Sequence, residues 1–441
     1  MPTTFRPYTP EQSLLLPPSP SDWLAEGHLA HFLSDMIDQL DLSAFYERYE
    51  GDGRRKQPYE PRMMLKVIVY SYMTGTFSSR KIVGRIEEDI ALRYLAAGNS
   101  PSHRTICDFR VDHLDAFGSL LVQIIRIAQE AGLVKLGRIA IDGSKVRANA
   151  SKHKAMSYDR MKSEEEKLEK EIAGILAQAA EEDAREDAEF GPDRRGDELP
   201  EELQRRESRL QKIREARARL EQRQKEQDTK AGRSEGDDDP AKRKKGGKPF
   251  KRKFGVPADK AQENFTDSDS RIMNSTEGFQ QCYNAQIAVD ADSQLIVAAD
   301  VTQNAGDSGS LLPMVDLVEQ NCGTTPEQCL ADAGYKSEAA FVELEKKKID
   351  AYVALGREGK KVTTQTKLPA TQQMKEKLAS PSGDAAYRRR KAIVEPVFGW
   401  IKHVLGFRRF SLRGIRKVAG EWALVCLVIN LKRMNTLVAA A

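Results

Sequence analysis

The sequence predicts an α/β protein, a mixed sheet flanked by helices, preceded by an all-helical domain and interrupted by a charged helical hairpin. Three changes of pattern say so. From about 23 to 132 the apolar residues recur at helical spacing. At Arg138-Ile139-Ala140-Ile141-Asp142-Gly143 a short β-branched run replaces that spacing and ends in a polar turn. After more than a hundred very polar residues, strand-like and helix-like segments alternate again from Phe279 onward.

Residues 1–20 form a proline-rich lead-in expected to be poorly ordered. The helical domain is assigned to 21–135. Leu29, Phe32, Leu33, Met36 and Leu40 fall on one stripe, and Met64, Leu65, Ile68, Val69 and Tyr72 on another. Ser78, Ser79 and Ser102 offer N-caps, Gly75 and Gly98 offer stops, and a long helix over 113–131 closes the domain. In the run that follows, Ile139 and Ile141 point to one side and Ala140 and Asp142 to the other, with Asp142 closing the strand. The sheet domain takes 136–150 and 279–441, split by an insertion over 151–278.

That insertion keeps only a thin apolar seam. Leu168, Ile172, Ile175 and Leu176 line a segment over 157–189, and Leu203, Leu210, Ile213 and Leu220 line one over 199–228. Spacings of three, four and seven fit two helices folded together about Gly191-Pro192, a coiled-coil hairpin. A glycine- and lysine-rich loop over 229–253 follows. Beyond it, strands are expected at 283–290 and 295–301, a helix at 308–321, a strand at 328–332, a helix at 338–347 and a strand at 351–355. A basic helix pair at 385–404 and 415–435 ends the chain.

A chain of 441 residues supports two or three domains. With 40% hydrophobic and 31% charged residues, a net charge of +4 understates its segregation: basic runs gather at 242–253 and 387–417. An anionic partner is indicated. Five scattered cysteines without a Cys-x-x-Cys argue against disulfides or a zinc site, and the six histidines show no metal-ligand spacing. No signal-peptide core is visible, and the apolar run 423–431 is too short to span a membrane; it reads as a buried helix.

Asp142 and Asp332 each end an expected strand, and such positions on neighbouring strands can converge on one crevice. Either alone is an ordinary turn residue. Glu395 is the only acid between Tyr387 and Lys417, a stretch crowded with arginine and lysine. A carboxylate there would repel DNA unless a divalent cation neutralised it. The alternative is a helical ion pair with Lys391, of about 0.3–0.5 kcal/mol. Pro396 predicts a bend or helix start at Glu395.

Ile-Asp142-Gly-Ser-Lys, Leu-Ala-Asp332-Ala-Gly-Tyr and Tyr-Arg-Arg-Arg-Lys-x-x-Val-Glu395-x-x-Phe-x-x-x-Lys402 together resemble the bacterial insertion-sequence DDE transposases with a ribonuclease-H-like core. Residues 60–130, through Ser102-His103-Arg104-Thr105-Ile106-Cys107-Asp108-Phe109-Arg110, are similar to the helical N-terminal domain of one such group. The family's motif reads tyrosine, two residues, arginine, three residues, glutamate, six residues, lysine. Glu395 and Lys402 keep that spacing, but Arg388 and Lys391 stand at the tyrosine and arginine positions, and Tyr387 and Arg390 fit only with one residue inserted.

The resemblance implies a ribonuclease-H-like mixed sheet and metal-dependent phosphoryl transfer on DNA. Asp142, Asp332 and Glu395 would be catalytic and would hold two Mg²⁺ or Mn²⁺ ions. Tyr387, Arg388, Arg390, Lys391 and Lys402 would contact DNA at the cut. Arg80, Lys81 and Arg104, with Arg85 and His103, would read the terminal inverted repeats from the helical domain. Target DNA, a homodimer on paired ends, no membrane, and the bacterial cytoplasm at the nucleoid are the expected partners and setting. A ribonuclease-H-like nuclease without strand transfer, and an inactive DNA-binding derivative, are the other readings.

Overall fold

Helical spacing in the first third of the chain becomes a layer of helices: α1 (Leu29–Asp38), α2 (Ser43–Tyr46), α3 (Pro61–Met73), α4 (Ser79–Glu88), α5 (Ile90–Leu95), α6 (His103–Asp112) and α7 (Leu114–Glu130). The computed structural model describes residues 19–49, 57–190, 201–238, 250, 252–275, 277–356 and 368–440. The lead-in up to 18, the turn at Gly191-Pro192 and most of the basic run 242–253 lie outside those residues. Both expected stripes point inward: Leu33, Met36 and Leu40, and Met64, Leu65, Ile68, Val69 and Tyr72, are buried. Ser102 caps α6 by accepting the Thr105 N–H at 3.1 Å. Gly75 and Gly98 take left-handed φ values of +76° and +74°, ending α3 and α5 as anticipated.

The sheet is built on β1 (Arg138–Arg147). After it come β2 (Ala155–Ser157), the hairpin helices α8 (Tyr158–Phe190) and α9 (Glu201–Lys230), β3 (Gln262–Asn264), β4 (Arg271–Ser275), β5 (Gly278–Asp290) and β6 (Ile296–Thr302). Then follow α10 (Leu311–Cys322), β7 (Gln328–Ala331), α11 (Glu338–Lys346), β8 (Asp350–Val353), α12 (Pro369–Ala379), α13 (Pro381–Gly399) and α14 (Ile415–Ala440). β1 pairs antiparallel with β5 on one edge and parallel with β7 on the other, and β7 pairs parallel with β8. The far edge of β5 is shared, its first residues by β4 and the rest by β6. This order and these directions are those of a ribonuclease-H-like sheet. β4 joins it from within the segment 151–278 assigned to the insertion.

Two expectations are corrected. β1 does not stop at Asp142; it runs on to Arg147 against β5, because Ser144 and Val146 continue the pairing down to Cys282. What ends near Asp142 is the parallel ladder with β7, whose last pair is Ile141 with Ala331. Nor does Pro396 break its helix. α13 continues through it, and the Ala392 carbonyl, which a proline cannot satisfy one turn on, accepts the Gln294 side-chain amide at 3.1 Å. Past Gly399 the helix widens into a π turn, Trp400–Val404.

In the hairpin, Leu168, Leu210, Ile213 and Leu220 pack with Tyr158, Met161 and Ala216 as the seam required, but Leu176 is 46% exposed.

α14 ties the layers together. It packs on α7 and α3 on one side and on β6 on the other, and Trp422, Leu424, Val425, Cys426 and Val428 are buried. Among the described residues it alone is long and apolar enough to cross a membrane by length and composition, and here it is a core helix. A buried polar network crosses the same junction. Arg110 on α6 donates to the Tyr72 hydroxyl and the Phe77 carbonyl, both at 2.8 Å. The fully buried Glu421 accepts the Ser411 and Leu412 N–H groups at 2.9 and 3.0 Å and the Tyr72 hydroxyl at 3.4 Å. Burial pushes the Glu421 carboxyl above its ordinary range, with the Leu412 N–H and Arg110 opposing. Arg110→Ala would leave the buried Tyr72 hydroxyl and the part-buried Phe77 carbonyl without their donor, and the buried Glu421 without the cation that opposes its shift. It is expected to lower the unfolding free energy by about 3–5 kcal/mol, read from denaturant midpoints; a loss below about 1 kcal/mol would show the network to be incidental.

Candidate active site where β1 and β7 part

Parallel pairing brings the two aspartates side by side. Since Ile141 faces Ala331, Asp142 and Asp332 are the next residues on neighbouring strands, whose backbones run about 4.8 Å apart. Asp332 leaves the sheet at once, its Oδ1 accepting the Gly334 N–H at 2.8 Å to cap the turn Ala333–Tyr335. Asp142 Oδ1 accepts the Gly143 N–H at 2.8 Å, and its Oδ2 meets Arg390 Nη1 from α13 at 3.1 Å. Burial raises the Asp142 carboxyl above its ordinary value; Arg390 and the Gly143 N–H oppose that shift and Asp332 adds to it. Burial works against the Arg390 charge too, yet Asp142, Tyr387 and Asp332 outweigh it and raise its pKa.

Lys402 reaches the same place from the π turn. Its ammonium donates to the Ser144 hydroxyl, two residues along β1 and on the same face as Asp142. Burial lowers its pKa, and Asp142 opposes the shift. Arg390 and Lys402 are thus the two cations of the basic run that the structure brings to the aspartates. Arg388 is turned to the surface, where it pairs with Asp384 at 2.8 Å. Lys391 is exposed and Tyr387 half-buried against the core.

Asp307 is a carboxylate that sequence reasoning missed. Its Oδ1 accepts Asn284 Nδ2 at 2.6 Å, Gln286 Nε2 at 2.8 Å and Lys145 Nζ at 3.3 Å, and Gln286 in turn accepts the Tyr335 hydroxyl. Two glycines make room for it. A Cβ on Gly143 would stand 2.3 Å from Gln286 Nε2 and 2.8 Å from Asp307 Oδ1; one on Gly334 would stand 3.1 Å from Asp307 Oδ2. Asp307 therefore lies between the glycine after Asp142 and the glycine two past Asp332. Its only sequence signal was an Asn-Ala-Gly-Asp turn, indistinguishable from any loop.

Glu395 is not gathered with them. It is exposed on α13 and makes no ion pair among the described residues, so Lys391 does not hold it either. Among the described residues no three acidic, imidazole or thiol groups stand close enough together to hold one ion. The donors that are together still suit a hard divalent cation: two adjacent carboxylates, one of them desolvated. In the helical layer, Arg80, Lys81 and Arg104 are exposed in the first turns of α4 and α6, without ion-pair partners among the described residues, and α4 packs on α6. Arg85 is engaged instead with Asp89, Thr74 and Thr76.

The ribonuclease-H-like sheet thus carries two aspartates where its central parallel strands part. A family model described as a transposase DDE domain matches residues 249–431, and one described as Transposase domain (DUF772) matches residues 18–112. Both matches support an insertion-sequence DDE transposase. No curated protein and no solved structure matches it. The first match takes in Asp332 and Glu395 but not Asp142, which meets Asp332 through the pairing of β1 with β7.

Gly143→Ala forces its methyl into the Gln286–Asp307 pair. It is expected to lower stability by about 1–3 kcal/mol in thermal or denaturant unfolding. Adding Gln286→Ala should recover part of the loss, and an unchanged midpoint for the single variant would show that the network yields freely.

Proposed function

We propose that the protein cleaves DNA at the ends of its element and joins the freed 3′-hydroxyl to target DNA, with Asp142 and Asp332 as metal ligands and Glu395 joining them only in a state where α13 no longer turns Arg390 toward Asp142. The observation that carries this reading is the placement of Asp142 beside Asp332 under the buried Arg390 and the half-buried Lys402, in a chain matched by a transposase DDE domain. Two Mg²⁺ or Mn²⁺ ions, when bound, would supply activation of the attacking oxygen and stabilisation of the leaving one. The chain itself supplies position and charge. Lys402, steadied by Ser144, and Arg390 stand where a scissile phosphate would meet the aspartates, and Tyr387, Arg388 and Lys391 extend the contact along α13. Arg80, Lys81 and Arg104 present a separate basic face for the terminal repeats. A homodimer follows from the need to act at two ends, and the bacterial nucleoid is where such DNA lies.

The test is a strand-transfer assay with the full-length protein, Mg²⁺, labelled element ends and a target plasmid. Joined products are expected, while cleaved ends without joining would reduce the protein to a nuclease. Asp142→Asn, Asp332→Asn and Glu395→Gln should each lower the rate by about 10³-fold or more, as losing several kcal/mol of transition-state stabilisation requires. Each should keep duplex binding. Chelation should stop the reaction and Mn²⁺ restore it. Full activity in Glu395→Gln would strike Glu395 from the ligand set.

A further inference from the structure

Beyond Asp142, β1 leads into a second feature. Its end, the residues after it and the segment following the π turn enclose an open groove of about 590 Å³, with Arg147, Lys152, His153, Lys154, Arg409 and Arg413 around it. No acidic side chain lines it among the described residues; Glu277, which pairs with Arg147 at 3.0 Å, stands outside its lining. Arg413 is fixed by donating to the Asn149 carbonyl at 2.9 Å. Lys152, Lys154 and Arg409 are exposed and have no ion-pair or hydrogen-bond partner for their side chains among the described residues. Nothing within the described chain accounts for that concentration of charge.

Two further observations say what would. The groove is connected to the active site along the chain in both of the segments that form it. Arg147 is five residues past Asp142 on β1, and Arg409 bridges to Arg147 from a segment anchored at Lys402, whose carbonyl accepts Arg408 Nε at 3.1 Å. Five strand residues span roughly 16 Å, the rise of about five nucleotides of a B-form strand. The lining also has a definite character. It contains small residues, Ala148, Ala150 and Ser151, and no phenylalanine, tyrosine or tryptophan ring on which a base could stack; His153 is its one imidazole. Cations over a floor of small residues suit a phosphate backbone and offer little to read a base.

We propose that this groove holds the sugar–phosphate backbone of the DNA strand leaving the active site, through contacts indifferent to sequence. The proposal rests on the transposase reading of the neighbouring aspartates. It assigns to Lys152, Lys154 and Arg409 the task of keeping the cut strand along β1.

The variant Lys152→Ala/Lys154→Ala/Arg409→Ala, made in the full-length chain, tests it by fluorescence anisotropy on an element-end duplex and a scrambled duplex over a range of salt. Affinity for both duplexes should fall alike, and the slope of log K against log salt should shrink by about 2–3, at ~0.9 per lost phosphate contact. The charge-preserving variant Lys152→Arg/Lys154→Arg/Arg409→Lys should bind as wild type does. Wild-type affinity and slope in the alanine variant, with its unfolding midpoint unchanged, would overturn the groove, as would a loss confined to the element-end sequence. The two readings fail separately. Wild-type protein that binds DNA through these residues but never cuts it supports the groove and counts against the enzyme. Wild-type protein that binds no DNA ends both.

Discussion

Two carboxylates held side by side at the edge of a buried sheet are the constraint on which the rest of the structure turns. Asp142 and Asp332 cannot separate, because their backbones are one step beyond a paired parallel ladder. Asp142 is also partly desolvated, so its ionised form is disfavoured twice, by burial and by its neighbour. A cation must answer that charge. In the structure it is Arg390, brought in by α13, with Lys402 next to it on Ser144. The C-terminal basic run is thus a counterweight to the aspartates as well as a DNA-contact candidate.

The surroundings are arranged around the same constraint. Gly143 and Gly334 have little freedom to become anything else, since each leaves the space that Asp307 and its partners fill. Asp307 brings a third carboxylate into that neighbourhood, with one oxygen already engaged by Asn284, Gln286 and Lys145. Satisfying it takes three donors from β5 and β1, and the Tyr335 hydroxyl completes the chain by bonding Gln286. Networks of this kind are either fully made or costly.

How much of this was readable in the sequence depended on the range of the signal. The helices of the first third follow from local spacing, caps and glycine stops, and they appear within a few residues of expectation. The strands at β5, β6, β7 and β8 were legible for the same reason. The length of β1 was not, because Gly143-Ser144-Lys145 is a turn by composition and a strand only through its partner β5. The run through Pro396 was hidden likewise, since the acceptor it orphans is satisfied by Gln294, about a hundred residues earlier. Asp307 and the cohesion of the helical layer with α14 also rest on contacts distant in sequence. Asp142 and Asp332 were visible as a pair; Arg390 as the partner of Asp142 was not.

The remaining member of the motif is decided by helical phase. On an α-helix, five residues turn the side chain by about 500°, so Glu395 points roughly 140° away from Arg390. Val394 and Val397, at phases near that of Arg390, are buried against the sheet, and Glu395 is exposed, as this geometry requires. The family spacing would put the arginine four residues before the glutamate, on one face; here Arg390 stands five before. The one-residue slip seen in the sequence is therefore the same slip that separates Glu395 from the inward face. Farther along, the π turn winds less per residue and carries Lys402 back toward β1, where Leu405 N–H bonds the Trp400 carbonyl at 2.7 Å. In a single phase of a continuous α13, Arg390 and Glu395 cannot both face Asp142: while the arginine neutralises the aspartate, the glutamate stands outside.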